Sequence, residues 1–130
     1  HIKVIEQACP NLVSLIEEDA PESVIQNAVK GYVAELHNKT PDQKIDICIL
    51  ACTHYPLIEN LFRRELPEGT KILSQPDVTS NSLIAYLQKH PEFMEAASHS
   101  RIFITTGIPQ QASRIASRFY GHVVDFKSAC

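Results

Sequence analysis

The chain reads as an α/β protein with a mostly parallel sheet and helices on both faces. Short apolar runs of strand length alternate with longer segments whose apolar residues recur at helical spacing. The run Ile45 to Ala51 is apolar on both parities, the pattern of a strand buried on both faces, as strands of parallel sheets are. Pro41, Pro67, Pro91, Gly107 and Gly121 fall at the junctions between runs. Strand and helix alternating at this rhythm imply βαβ units with right-handed crossovers.

Each element follows from its own residues. Ile2 to Gln7 is rich in β-branched side chains and predicts a strand that ends before the turn Ala8-Cys9-Pro10. Asn11 to Ile16 is apolar but too short to assign by periodicity. Asp19 with Glu22 three residues later has the spacing of a capping box. Beyond it Val24, Ile25, Ala28, Val29, Tyr32, Val33 and Leu36 share one helical face, and Asn38 and Pro41 mark the end of that helix. Ile45 to Ala51 is the central strand. The next helix carries Leu57, Ile58, Leu61, Phe62 and Leu66 and stops at Pro67.

Lys71 to Ser74 predicts a short strand, with Gln75-Pro76-Asp77 as turn and helix start. Leu83, Ile84 and Leu87 give that helix an apolar face, and Pro91 closes it. Glu92 to Ser100 is polar with Phe93 and Met94 embedded, a short helix or a loop. Arg101 to Thr106 predicts a strand and Gly107 a turn. Ile108, Ala112, Ile115, Ala116 and Phe119 line a last helix ending at Gly121, and His122 to Phe126 predicts a final strand. No segment repeats internally.

The 130 residues, 44% hydrophobic and 21% charged, suit one globular domain with a real core. A net charge of -3 supplies no general attraction to nucleic acid or to an anionic membrane, which leaves a small molecule as the expected partner. No apolar run is long enough to cross a bilayer, and His1-Ile2-Lys3-Val4 does not have the form of a signal peptide. A cytoplasmic location is therefore expected. The four cysteines, Cys9, Cys48, Cys52 and Cys130, are expected as reduced thiols, since a chain this long and apolar needs no disulfide framework. The chain lacks an initiator methionine and opens directly on strand-like residues, which points to a fragment.

Chemistry concentrates at Cys52. It follows the central strand and precedes Pro56 and a new apolar series, where a strand's carboxyl end meets a helix's amino end. Open α/β sheets bind ligands in that crevice, and helix N–H groups there favour a thiolate. A free cysteine is more often a small buried hydrophobe; against that, Thr53 and His54 follow at once with a hydroxyl and an imidazole. A zinc site is a rival reading, but only one Cys/His pair is close in sequence and a structural site needs four ligands. A Cys-His hydrolase is another, although its histidine is normally remote in sequence and oriented by a third group. The four isolated glycines give no phosphate-binding loop. Glu17-Glu18 reads by default as a solvated turn.

Leu50-Ala51-Cys52-Thr53-His54-Tyr55-Pro56-Leu57 resembles the second active-site motif of the aspartate/glutamate racemase family, glutamate racemases in particular. Ala8-Cys9-Pro10 followed by the apolar stretch to Glu17 resembles that family's Cys-Pro segment with its later glutamate. Ile104-Thr105-Thr106-Gly107 with Gly121 resembles its carboxyl-terminal strand and helix. The family usually has glycine where this chain has Ala51, and an aspartate-containing turn where it has Ser74-Gln75-Pro76.

The resemblance covers the family's carboxyl-terminal half. It implies part of a two-lobed fold, with residues 1–73 in the second lobe and 74–130 as returning strands and helices. It further implies a cofactor-independent isomerase, without pyridoxal phosphate or metal, converting L-glutamate to D-glutamate for peptidoglycan synthesis. Cys52 would be one of two acid/base thiols, His54 its assistant, Glu17 a nearby acidic group and Thr53 a ligand for the substrate carboxylate. Aspartate racemase or a related isomerase is the alternative within the family, and a non-catalytic binding domain or inactive fragment the alternative outside it. Uncovered sheet edges in such a half would favour a homodimer.

Overall fold

The computed structural model describes residues 2–94 and 101–129, which divide into two compact units, one up to Ser82 and one from Leu83 on. The first unit begins with α1 (Leu12–Glu17) and α2 (Glu22–Asn38). β1 (Ile47–Leu50) follows, then a single 3-10 turn (Tyr55–Ile58), α3 (Glu59–Glu65) and β2 (Lys71–Ser74). β1 and β2 pair in parallel with Ile47 opposite Lys71 and Leu50 opposite Ser74, a βαβ unit as the alternation predicts. α4 (Gln75–Lys89) starts directly at the end of β2 and carries the chain across the boundary between the units.

Unit one is held by a core on one side of this strand pair. Leu12 and Ile16 of α1, Ile25, Val29 and Val33 of α2, Leu50 of β1, and Ile58, Leu61, Phe62 and Leu66 pack into one cluster. Each such side chain withdrawn from water contributes about 1.5–3 kcal/mol. The spacing Ile25, Val29, Val33 is the i, i+4, i+8 ridge of α2, so the predicted helical face is the one that is buried, while Val24 at its margin stays exposed.

The link between α1 and α2 is a Schellman turn. The Ala20 N–H reaches the Leu15 carbonyl at 3.0 Å and the Asp19 N–H the Ile16 carbonyl at 3.4 Å. Asp19 takes the left-handed position, φ 52°, that such a turn requires. This corrects the capping-box expectation: Asp19 ends α1 and does not start α2, whose N-cap is Pro21 without a side-chain cap.

Two strand expectations in this unit also fail. Ile2 to Gln7 forms no strand; Ile2 and Val4 are almost fully exposed, because a β-branched run becomes a strand only where a neighbour takes up its backbone hydrogen bonds. The central strand is shorter than Ile45 to Ala51 and is buried on one face alone. Ile47 and Ile49 are 52% and 65% exposed, and among the described residues β1 pairs only with β2. On that open face Ile49, Ala51, Leu73 and Val78 border a shallow cleft of about 300 Å³.

The second unit pairs β3 (Phe103–Thr105) with β4 (Phe126–Ser128) in parallel, joined by α5 (Pro109–Tyr120). Gly121, at φ 72°, ends α5 as predicted. Ser113 and Ser117 on α5 accept hydrogen bonds from the N–H groups of Phe126 and Val124 at 2.8 and 3.0 Å, pinning the return strand to the helix. That pairing moves the last strand to Phe126–Ser128 from the expected His122 to Phe126, since residues 122 to 125 are spent on the connection. Of the stretch Glu92 to Ser100, Glu92 and Phe93 belong to a 3-10 turn (Pro91–Phe93), and residues 95–100 lie outside the described set. No helix of the described residues is long and apolar enough to cross a membrane.

Candidate acid/base site

Leu50 closes β1 with its side chain 2% exposed in the core, so the chain must turn where the strand ends. Residues 51 to 54 make that turn. The Tyr55 N–H donates to the Cys52 carbonyl at 3.2 Å and the Leu57 N–H to the His54 carbonyl at 3.1 Å. The turn gathers Cys52, Thr53 and His54 at the carboxyl end of β1, the position that the strand-to-helix pattern predicted.

The expected help from a helix amino end is not there. A four-residue 3-10 turn intervenes, Pro56 in it has no N–H to offer, and α3 beyond it has only seven residues. What faces Cys52 is His54, with Nδ1 4.0 Å from the sulfur and 3.4 Å from the Thr53 hydroxyl. On the other side of the ring, Nε2 lies 2.9 Å from Glu17 Oε1. Glu17 is the last residue of α1, 37 positions earlier, and the packing of Leu12 and Ile16 into the core is what brings it here. The default reading of Glu17 as a solvated residue is thus replaced by a side chain aimed at an imidazole, the two being 39% and 20% exposed.

This order of groups has a chemical consequence. A carboxylate on Nε2 draws the ring proton to that nitrogen, which leaves Nδ1 as an acceptor toward Cys52 and Thr53 when the ring is neutral. When the ring is protonated, Nδ1–H becomes a donor toward the sulfur. Thiol, imidazole and carboxylate therefore line up so that a proton on sulfur can be held or withdrawn through His54.

Two groups beside the turn were not assigned by sequence reasoning. Cys9 packs against the core, and burial pushes its thiol up, opposed in part by a hydrogen bond from the Tyr55 hydroxyl. Burial pushes the Tyr55 phenol up as well, with the nearby Cys9 and Cys52 sulfurs adding to it. Cys48, inside β1, is likewise raised by burial. The available signals were adjacency alone, since Tyr55 follows His54 directly and Cys9 precedes the segment that delivers Glu17. The described residues contain no group of three or more His, Cys, Asp or Glu side chains placed to hold a metal ion.

No protein-family model matches the chain. It is 36% identical over 128 residues to the glutamate racemase of Phenylobacterium zucineum, an alignment covering 98% of this chain and 45% of that protein. Its structure matches a glutamate racemase isoform from Bacillus anthracis with a TM-score of 0.82 at 30% identity, covering 100% of this chain and 48% of the other. The Francisella tularensis glutamate racemase, solved with D-glutamate, shares the fold at a TM-score of 0.79 and 24% identity, over 99% of this chain and 48% of its own. The chain spans about half the length of the curated relatives it matches. In sequence and in fold, it matches the carboxyl-terminal half of glutamate racemase.

Proposed function

We propose that this chain supplies one of two acid/base thiols of a cofactor-independent glutamate racemase. The observation that carries the reading is the Cys52, His54, Glu17 line at the end of β1, in a segment that aligns with glutamate racemases. Inverting an α-carbon needs a base on one face and an acid on the other. Cys52 as thiolate takes the α-proton from one enantiomer, and as thiol returns a proton when the reaction starts from the other. His54 holds that proton near the sulfur, and Glu17 keeps the ring's Nε2 protonated so that Nδ1 faces the reacting side. Thr53 donates to the substrate carboxylate.

One thiol serves one face, so the partner thiol comes from the other half of the parent racemase. Residues 1–73 then belong to the second lobe and residues 74–130 to its returning strands and helices. The exposed stripe of Ile47 and Ile49 supports a further covering surface, from the other half or from a second copy in a homodimer. The parent is a cytoplasmic enzyme that provides D-glutamate for peptidoglycan.

The test is exchange of the glutamate α-proton in D₂O. The full-length parent is expected to exchange and racemise without added pyridoxal phosphate or metal, Cys52→Ala to abolish both, and the 130-residue chain alone to do neither. Racemisation by the isolated chain that depends on Cys52 would overturn the half-site argument. An inactive parent would overturn the racemase reading.

A further inference from the structure

β1 leaves one edge of its sheet open, and the register identifies the groups that stand on it. Ile47 lies opposite Lys71, and the Lys71 N–H donates to the Asp46 carbonyl at 2.9 Å. Backbone groups alternate in direction along a strand, so Asp46, Cys48 and Leu50 turn theirs toward β2 while Ile47 and Ile49 turn theirs away. Among the described residues β1 pairs with β2 alone, which leaves the N–H and C=O groups of Ile47 and Ile49 outside any ladder. The same two residues carry the most exposed side chains of the strand. A free edge normally bears a charge, a proline or a bulge that deters pairing. Ile47-Cys48-Ile49-Leu50 has none of these, whereas β2 opens on Lys71.

The run Ile2 to Gln7 is the other strand-forming sequence of this unit that pairs with nothing. Side chains hold it in place: Lys3 Nζ donates to Gln43 Oε1 at 2.9 Å, Lys39 Nζ to the Glu6 carbonyl at 2.8 Å, and Gln7 Nε2 to Glu35 Oε2 at 2.6 Å. Lys3 thus sits beside the approach to β1, and the run leads into α1, whose Glu17 lies on His54 just past the carboxyl end of β1. It travels in the direction of β1 without pairing to it. The relatives are about twice as long and align through their carboxyl-terminal half, so their further residues precede this run.

We infer that the Ile47–Ile49 edge receives one β-strand from the amino-terminal half of the parent, set between β1 and the Ile2 to Gln7 run. The inference rests on the reading of this chain as one half of a longer racemase, and adds what joins the halves: a main-chain ladder as well as side-chain contact. Such a strand meets the core cluster on one face and continues the Ile47 and Ile49 stripe on the other, so it is an uninterrupted apolar run like β1 itself.

The test is amide hydrogen exchange, resolved by residue, on the 130-residue chain and on the full-length parent. In the chain alone, Ile47 and Ile49 are expected to exchange faster than Cys48 and Leu50, whose N–H groups face β2. In the parent all four are expected to be slow, with Ile47 and Ile49 slowed about a hundredfold or more, since a laddered amide exchanges only when its strand opens. If Ile47 and Ile49 remain faster than Cys48 and Leu50 in the parent, the inference is overturned, because a helix laid over their side chains covers the face and leaves the N–H groups unpaired. Protection in the chain alone that grows with its concentration would give the edge to a second copy and overturn it equally. Activity is not read, so an inactive parent with all four amides slow would sink the racemase reading and sustain the strand.

Discussion

Replacing Glu17 by glutamine removes a charge and keeps the shape, which isolates what the carboxylate does for His54. The Oε1 to Nε2 distance of 2.9 Å is that of a charge-assisted hydrogen bond whenever the ring is protonated. Such bonds contribute about 1.5–3 kcal/mol. Glu17 is 39% exposed and His54 20%, so solvent screens the pair and the lower end applies, about 1.5 kcal/mol or roughly tenfold in rate. On the proposed mechanism, in which Glu17 acts through the ring and not on the substrate, Glu17→Gln in the full-length parent is expected to slow α-proton exchange of both glutamate enantiomers about tenfold, with KM for glutamate little changed. The assay is deuterium incorporation followed by NMR from L- and from D-glutamate. Exchange within twofold of wild type would refute the reasoning, and so would a loss as deep as that of Cys52→Ala, because a tuning group cannot matter as much as the group it tunes.

Alkylation of the native chain at neutral pH should label Cys52 ahead of Cys9 and Cys48, whose thiols burial pushes up; peptide mapping after a short iodoacetamide pulse checks the order. The same burial makes the fold sensitive to alkali. Cys9, Cys48 and Tyr55 have raised values in the folded chain, so their contribution is intact below the unfolded values, near 9.0 for the thiols and 10.0 for the phenol, and is lost as pH rises from there through the folded values. Urea midpoints should accordingly fall above about pH 9, and fall less in Cys48→Ala measured against its own neutral-pH midpoint. Leu12→Ala, at a fully buried position of α1, should cost about 2–5 kcal/mol in a denaturant melt.

Local physics made much of this fold legible. β2 spans Lys71–Ser74, as its short apolar run predicts, because Pro67 and Gly69 isolate it on one side and Gln75 begins a helix on the other. α2 follows its apolar ridge, and Gly121 ends α5 by supplying a left-handed residue. The failures share a different cause. Ile2 to Gln7 and Ile45 to Ala51 are sequences fit for sheet, but a strand's neighbours and its second covering layer are set by what packs against it, and no pattern within the strand specifies those. Asp19 shows the same ambiguity on a smaller scale, since a short acidic residue between two helices can cap the second or terminate the first. At the site, Cys52, Thr53 and His54 were legible because one turn carries all three. Glu17 was reached only through a family resemblance, because a contact across 37 positions leaves no periodic trace.

The place of Glu17 at the end of α1 sets helix stability against site chemistry. Backbone carbonyls crowd the last turn of a helix and disfavour a carboxylate there, whereas a lysine or arginine would be favoured by about 0.3–1 kcal/mol. Selection for thermal tolerance alone would therefore drive this position toward a cation and take the carboxylate away from His54. On the proposed mechanism, variants hardened in that way would be sturdier proteins with an idle thiol, so any stabilisation campaign on this chain should hold position 17 fixed.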